Sequence, residues 1–421
     1  MFDIELKNIK DLVLKRIENG PVEAANYLSS ILKSKRLEMK LTLSDVTKEI
    51  CSEAFLSKVE RNLMDPRNER VKMLCERLDL DYKKLSVLES NKRVEQVLLS
   101  FIDLEFDNIL NIEEKVCEGV FVAEDEIVKA FKYFIRREFK KLHACILGLD
   151  NVKECLSDIE LFSVLLIIFE YNLHVLKCNK ALEYMNLLEK LAFKNKKCEL
   201  YLKEKRFILS CIMGNSDVNY LFEDIRNNFH LFSRKKQFGL MLFYQETRVT
   251  TEAYEYLLEM GNDYIPDAYR EEYEYAKALL LTKLEKPLEA MKSILESGYS
   301  KVRFITLYAY NLFLYVPNII TDEEFKTQKI KLISLMKISS QNSGDTYHVG
   351  FLRLMQYEID KASSEIVCNF IKNSLVKELN DYCYPLYDEY IRDRYCLLLG
   401  KLCRYKDAYM YLLQTKIHLK K

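Results

Sequence analysis

Apolar residues recur three or four positions apart along most of the chain, the spacing that buries one face of an α-helix. Residues 2–18 show this pattern first, and Gly20 with Pro21 ends that helix. Short helical segments follow over residues 22–86, and the pattern is more continuous beyond them. Only ten Gly and six Pro occur in 421 residues, too few for the frequent turns of a sheet-rich fold. The pattern predicts an all-α protein.

The later part of the chain repeats weakly. Segments 276–298 and 395–415 each contain an apolar helix, a short polar turn, an Ala and a second apolar helix. Four recurring Ala positions are separated by about one, two or three units of roughly 36–39 residues, close to the length of a helix-pair repeat. We therefore predict a degenerate tetratricopeptide-like array, a right-handed solenoid of roughly six or seven pairs over 157–417 with a concave groove. The recurring small residues are Ala181, Ala253, Ala290 and Ala408.

These patterns divide the chain into four predicted parts. An extension helix occupies residues 1–22, and a cluster of short helices occupies 23–88. Linker helices span 89–156, and the repeat domain spans 157–421. The strongest candidate breaks along the chain are residues 62–68, Gly214 with Asn215, Pro317 with Asn318, and residues 340–345.

Composition restricts the function classes. The 64 basic and 64 acidic residues cancel, so nucleic-acid binding would need a local basic patch. The twelve Cys contain no CxxC, and no apolar run reaches the ~18 residues of a membrane span. No HExxH, GxxxxGK[ST] or GxSxG motif occurs, and the five His lie far apart. We expect a cytoplasmic protein without membrane contact, catalytic residues, cofactor or metal site.

The most informative stretch is residues 28–85. Thr42 and Ser52 are both suited to cap a helix N-terminus, and Asp45 follows Thr42 at the capping-box spacing. The first capped helix is predicted to run to about Ile50, which leaves a turn of about two residues before the next. So short a turn makes the two helices cross steeply and lets the second one project from the surface.

A projecting helix with short polar side chains near its start fits the DNA major groove. Glu53 can accept from cytosine, Lys58 can donate to guanine or a phosphate, and Ala54 can contact a thymine methyl. Between residues 33 and 84 thirteen basic residues face ten acidic ones, an excess of three. Arg61, Arg67 and Asn68 are placed to contact phosphates. The candidate DNA-binding residues are Thr42, Ser52, Glu53, Ala54, Ser57, Lys58, Arg61, Arg67 and Asn68.

The segments LKSKR (32–36), LT (41–42) and EICSEAFLSKVERN (49–62), with Pro66, resemble the helix-turn-helix of the Xre-like phage repressors. They are more similar still to the peptide-sensing RRNPP regulators, PlcR-type members in particular, and the repeats resemble those of phage arbitrium receptors of the AimR type. The resemblance implies an ion pair between Arg36 and Glu60. Three residues depart from the common pattern, namely Lys40, Leu43 and Asn62.

The resemblance also implies a function. Members of this family follow the DNA-binding domain with a helical array that binds a short signalling peptide, and they act as homodimers. The expected protein is a cytoplasmic transcription regulator of a Gram-positive bacterium or its phage. It would bind a double-stranded DNA operator under peptide control, in quorum sensing or the choice between lysis and lysogeny. Polar candidates for the peptide groove are Asn172, Arg206, Tyr244, Tyr275, Tyr308 and Asn311.

Two other interpretations of the sequence stay open. A repeat scaffold would act mainly by binding another protein, with the helix-turn-helix serving autoregulation. A phage or plasmid repressor would bind DNA without any peptide ligand. Each groove candidate also fits an ordinary surface residue, and the Tyr and Phe side chains fit the gaps between packed helices.

Overall fold

The computed structural model describes residues 4–19, 27–61, 63–64, 68–82, 92–113, 122–191, 195–213, 217–248, 250–263, 265–315, 319–342, 346–375 and 385–418. Within these ranges the regular structure is helical throughout and no strand occurs, which confirms the predicted all-α class. Of the candidate DNA-binding residues, Arg67 lies outside the described ranges. No helix in these ranges is both long and apolar enough to cross a membrane.

The helices are numbered here in chain order. The first twelve are α1 (Ile9–Asn19), α2 (Tyr27–Glu38), α3 (Leu43–Thr47), α4 (Glu53–Glu60), α5 (Glu69–Arg77), α6 (Lys92–Ile102), α7 (Phe106–Leu110), α8 (Ala123–Ile135), α9 (Phe139–Val152), α10 (Asp158–His174), α11 (Cys178–Lys190) and α12 (Lys196–Met213). The others are α13 (Val218–Arg226), α14 (Arg234–Glu246), α15 (Thr251–Asp263), α16 (Arg270–Lys283), α17 (Pro287–Ser297), α18 (Val302–Tyr310), α19 (Asp322–Asn342), α20 (Thr346–Ile359), α21 (Ser364–Phe370), α22 (Pro385–Lys401) and α23 (Tyr405–His418).

Short 3-10 and π segments connect some of these helices. The 3-10 turns are Lys153–Cys155, Phe229–Leu231 and Asp267–Tyr269, and the π segments are Asn311–Tyr315 and Ile371–Leu375.

The two segments that align in sequence are two helix pairs, α16 with α17 and α22 with α23, and the helices of each pair pack together. The first helix of each pair ends at a left-handed residue, Glu285 (φ 58°) or Cys403 (φ 58°). The next N–H then bonds back five residues, from Lys286 to Leu281 (2.9 Å) and from Arg404 to Leu399 (2.8 Å). This ending is usually built on Gly, so its use with other residues accounts for the low Gly content.

The chain forms two compact units, Phe2–Val175 with Lys180–Lys203 and Leu176–Asn179 with Glu204–Lys421. This division differs from the predicted start of the repeat domain at residue 157. The reason is that α10 packs against α6 and α8 inside the first unit. Nearly every residue of α10 is buried, so its apolar run FSVLLIIF forms a central helix of that unit. The start of the helix-pair repeats at 157 stays a prediction.

Within the first unit, α2–α5 share a core of their own. Leu28, Leu32, Leu56, Val59 and Leu74 are each no more than 1% exposed in it. Helix α3 contacts α4 and α5, and α2 contacts α4. The second unit has a larger core that extends from α16 to α22.

Candidate nucleic-acid interface

Helix α3 begins at a complete capping box. The Thr42 hydroxyl accepts from the Asp45 N–H (3.2 Å), and the Thr42 N–H donates to Asp45 Oδ2 (2.7 Å). The Thr42 hydroxyl also donates to Asp45 Oδ2 (2.6 Å). The two hydrogen bonds that Asp45 Oδ2 accepts from Thr42 lower the pKa of Asp45. The capping box spans only the four residues 42–45, and its contacts join positions three apart. The sequence alone therefore indicates this helix start.

Helix α3 is shorter than predicted, because it ends at Thr47 and not near Ile50. Glu49 is left-handed (φ 63°), so a five-residue turn separates α3 from α4. Arg77 of α5 fixes this turn, since its Nη1 donates to the carbonyl oxygen of Lys48 (2.5 Å). Sequence reasoning missed Arg77, because nothing local in the sequence links residues 29 positions apart.

Helix α4 is capped by Ser52, whose Oγ accepts from the Phe55 N–H (3.2 Å). One face of α4 is buried through Leu56, Val59 and Glu60. The opposite face, with the N-terminal turn, is open to solvent. The exposed candidates on or next to α4 are Ser52, Glu53, Ala54, Lys58 and Arg61, and Ser57 is half-buried. The structure therefore brings six of the nine candidates together on one helix.

The end of α4 is held by Arg36 of α2. Its Nε donates to Glu60 Oε1 (2.6 Å), and its Nη2 donates to Glu60 Oε2 (2.7 Å). Nη1 donates to the Leu41 carbonyl oxygen (3.0 Å), which follows α2. The bond to Glu60 raises the pKa of Arg36. This fork joins the first helix of the domain to the last turn of α4.

Two candidates have local roles in the structure. Asn68 caps α5, because its Oδ1 accepts from the Val71 N–H (3.0 Å). Arg61 lies just after α4, and its Nε donates to the Ser57 carbonyl oxygen (3.1 Å). The hydrogen bond of Arg61 leaves its charge in place, and the residue stays exposed to solvent. A contact of either residue with phosphate stays a prediction.

Arg70 is a further cation at this surface that sequence reasoning missed. It is exposed on α5, and its guanidinium carbon lies 5.7 Å from the ring centroid of Phe55 on α4. A guanidinium over an aromatic face keeps its N–H groups free to point outward. Arg70 therefore lies beside the open face of α4. The signal available in sequence was only its position at the start of a helix.

The six groove candidates do not form one surface. Asn172 belongs to the first unit, is 1% exposed, and donates to the Ile168 carbonyl oxygen of its own helix (2.8 Å). Tyr308 and Asn311 belong to the second unit and are fully buried. Tyr308 donates to Gln328, and Asn311 Nδ2 donates to Thr282 Oγ1 (2.8 Å). These buried side chains fill spaces between helices. Arg206 is half-buried.

Tyr244 is half-buried, and Tyr275 is buried with 9% of its surface exposed. Tyr244 stacks on Phe222 with 3.8 Å between ring centroids. Tyr275 lies under Arg303, whose guanidinium carbon is 3.5 Å from the ring centroid. Arg303 pairs with Glu272 (2.7 Å), and their side chains keep 20% and 27% of their surface exposed.

Glu246, at the end of α14, adds a fourth ionisable group to Glu272, Tyr275 and Arg303. Burial raises the pKa of Glu246 to about 8, and that of Tyr275 to about 12. Among the described residues, Glu246 Oε1 and Arg303 Nε have no hydrogen-bond partner. Glu246, Glu272, Tyr275 and Arg303 form one cluster of interacting ionisable side chains, which we call the charged cluster.

The described residues contain no group of three His, Cys, Asp or Glu side chains that could hold a metal ion. No family model matches the chain, and no curated protein matches it. A solved structure that the comparison found is Bacillus thuringiensis PlcR in complex with the peptide PapR7 and DNA. The match covers 76% of this chain and 97% of that chain, at 12% identity and a TM-score of 0.19. So low a TM-score shows nothing about the function of this chain.

Proposed function

We propose that the chain is a DNA-binding transcription regulator that reads an operator with α4. The observation that carries this proposal is the division of α4 into a buried face and an open face. Leu56, Val59 and Glu60 fix the helix to its domain, while Glu53 and Lys58 remain in solvent. A short helix held in this way presents its N-terminal residues to base edges in the major groove.

The cations around α4 would position the helix on the phosphate backbone. Arg61 follows α4 and Arg70 lies over Phe55, so charges are available on both sides of the reading face. Because the net charge of the chain is zero, affinity depends on these few cations. Phosphate contacts fix the register on the duplex, and Glu53, Ala54 and Lys58 would select the bases.

The test is selection of bound sequences from genomic and random DNA, followed by titration of Lys58→Ala/Arg61→Ala. Operator affinity should fall, and the slope of log K against log salt should become shallower by about 1 for each phosphate that the variant no longer neutralises. Lys140→Ala/Lys141→Ala removes two exposed cations from α9 as the matched control. Unchanged affinity and salt slope in the α4 variant would refute DNA reading by α4.

We further propose that a short peptide bound by the second unit controls this DNA binding, in a homodimer that places two α4 helices about one duplex turn apart. The charged cluster supports a peptide site, because it combines a guanidinium with carboxylates, and the Arg303 and Glu272 side chains keep 20% and 27% of their surface exposed. Peptides that co-purify with the protein from its host can be identified by mass spectrometry. A synthetic copy should then bind the wild type and lose affinity for Arg303→Met. Binding that survives this change would place the peptide elsewhere.

A further inference from the structure

Arg16 of the extension helix α1 is tied to the turn before α10. Its Nη1 donates to Asp158 Oδ1 (3.0 Å), and its Nη2 donates to the carbonyl oxygens of Leu156 (2.6 Å) and Glu154 (3.1 Å). The side chains of Arg16 and Asp158 are only 9% and 11% exposed. Both carbonyl groups precede α10, and Arg16 donates a hydrogen bond to each of them.

The same turn contacts the DNA-binding helices. The Cys155 thiol donates to the carbonyl oxygen of Glu60, the last residue of α4. Lys33 of α2 pairs with Glu154 (3.5 Å). Cys155 is 1% exposed, and burial raises the pKa of its thiol to about 12, so the thiol stays a donor at neutral pH. The turn of residues 153–158 is thus held by α1 and rests on α2 and α4.

Helix α1 is itself fixed at its start. The Leu6 N–H donates to the Tyr184 hydroxyl (3.3 Å), and the Lys7 N–H donates to Asp150 Oδ1 (3.0 Å). Leu6 and Val13 are buried. Arg16 therefore projects from a helix that is anchored on α9 and α11. Its hydrogen bonds link the turn of residues 153–158 to that helix.

We propose that Arg16 is a positioning residue for the DNA-binding helices. By holding the turn of residues 153–158, its guanidinium fixes the orientation of α4 relative to α9–α11. The fork geometry is required, because three acceptors surround one side chain and an ammonium group cannot reach all of them in plane. The importance of this orientation for operator reading rests on the function proposed above. The positioning itself does not depend on that function.

The first experiment measures orientation without DNA. Spin labels are attached through non-natural amino acids at Lys48, in the turn before α4, and at Glu189 of α11, both exposed. The wild type should give one narrow distance distribution, and Arg16→Ala should broaden it. Lys15→Ala, which removes the adjacent exposed cation, should leave it narrow. An unchanged distribution in Arg16→Ala overturns the proposal.

A folding defect is separated from a defect in positioning by hydrogen exchange. Protection of the α4 amides should persist in Arg16→Ala, which shows that the DNA-binding core is intact. If Arg16→Ala loses protection of the α4 amides, both measurements are repeated on Arg16→Lys, because this variant keeps the charge and removes the fork. A broadened distance distribution with α4 still protected supports the proposal. A narrow distribution, or loss of α4 protection in this variant as well, overturns it.

The second experiment uses the duplex that the wild type selects from a random library, with one site or with two sites at the selected spacing. Arg16→Ala should bind the single site within about threefold of the wild type and lose about tenfold or more on the double site. A merely structural defect would weaken both equally, which contradicts the proposal. If the wild type selects no sequence, the proposed function fails, and the distance measurement still tests Arg16.

Discussion

The guanidinium of Arg36 and the carboxylate of Glu60 form a two-pronged ion pair with N–O distances of 2.6 and 2.7 Å. Their side chains are only 11% and 5% exposed. If one partner is removed, water therefore solvates the remaining charge poorly. The pair joins residues 24 positions apart and fixes the end of the helix that would read DNA. The pair therefore stabilises the domain, and it is distinct from the exposed residues on the open face of α4.

Removal of one partner of this pair should destabilise the core shared by α2–α5 strongly. Glu60→Ala leaves the Arg36 guanidinium without its carboxylate, and the expected cost is about 3 kcal/mol. The double variant Arg36→Met/Glu60→Leu should recover most of this stability, because it leaves no unpaired charge. Hydrogen exchange of the α2 and α4 amides gives the measurement. A single variant as stable as the wild type would show that the pair is dispensable.

Backbone strain at Lys40 gives a stabilising substitution. Lys40 is left-handed (φ 56°) at the end of α2, a conformation that costs a residue with a Cβ about 1 kcal/mol. Lys40→Gly should stabilise the domain by about 0.5 kcal/mol, since relief of this strain is partly offset by the greater entropy that Gly gives the unfolded chain. Lys48→Gly is the control, because Lys48 has a φ of −50° and no strain to relieve. Equal effects of the two changes on amide exchange would contradict this account.

Glu53 should determine one base pair of the operator. It lies exposed in the first turn of α4, where its carboxylate can accept a hydrogen bond from cytosine N4. Glu53→Gln should lose about 1–3 kcal/mol of discrimination at one position and keep the same salt slope. Binding to a set of single-base duplex variants at one salt concentration measures this. Glu76→Gln, an exposed change on α5, should leave the preference intact.

The buried carboxylate of Glu160 predicts a pH effect. Burial raises its pKa from 4.5 to about 7, beside Glu124, Asp158 and Arg16, while Ser157 donates two hydrogen bonds that lower it. Between these two values the folded state keeps a proton that the unfolded state has released. The contribution of Glu160 to stability therefore falls as the pH rises from 4.5 to about 7.

Replacing Glu160 tests this effect. Glu160→Gln resembles the protonated form and should match the wild type near pH 5. It should be more stable than the wild type by about 2–3 kcal/mol near pH 8. Denaturant titrations at several pH values measure the difference, with exposed Glu199→Gln as the control. A difference that does not change with pH would refute the shifted pKa.

Gly239 of α14 leaves room for an aromatic ring. A Cβ at this position would overlap the ring of Tyr269, so Gly239→Ala should destabilise the second unit by about 1–3 kcal/mol. Gly400 of α22 is the matched control, because a Cβ there meets nothing within 4 Å. Gly400→Ala should stabilise the helix by about 0.5–1 kcal/mol. Thermal unfolding that shifts the same way in both variants would contradict this assignment.

The sequence by itself determined the helical class and the two helix starts at Thr42 and Ser52. These features depend on contacts between residues three or four positions apart, which the sequence displays directly. It misplaced the end of α3, which lies at Thr47 and not near Ile50.

Only the tertiary structure decided how these helices are held. Arg16 meets Asp158 across 142 positions, and Cys155 meets Glu60 across 95. Such contacts depend on how separate helices pack, and many packings are compatible with the same periodic pattern. The same reason explains the groove candidates, because the sequence does not distinguish a polar residue on a groove from one buried between helices, as Asn311 is.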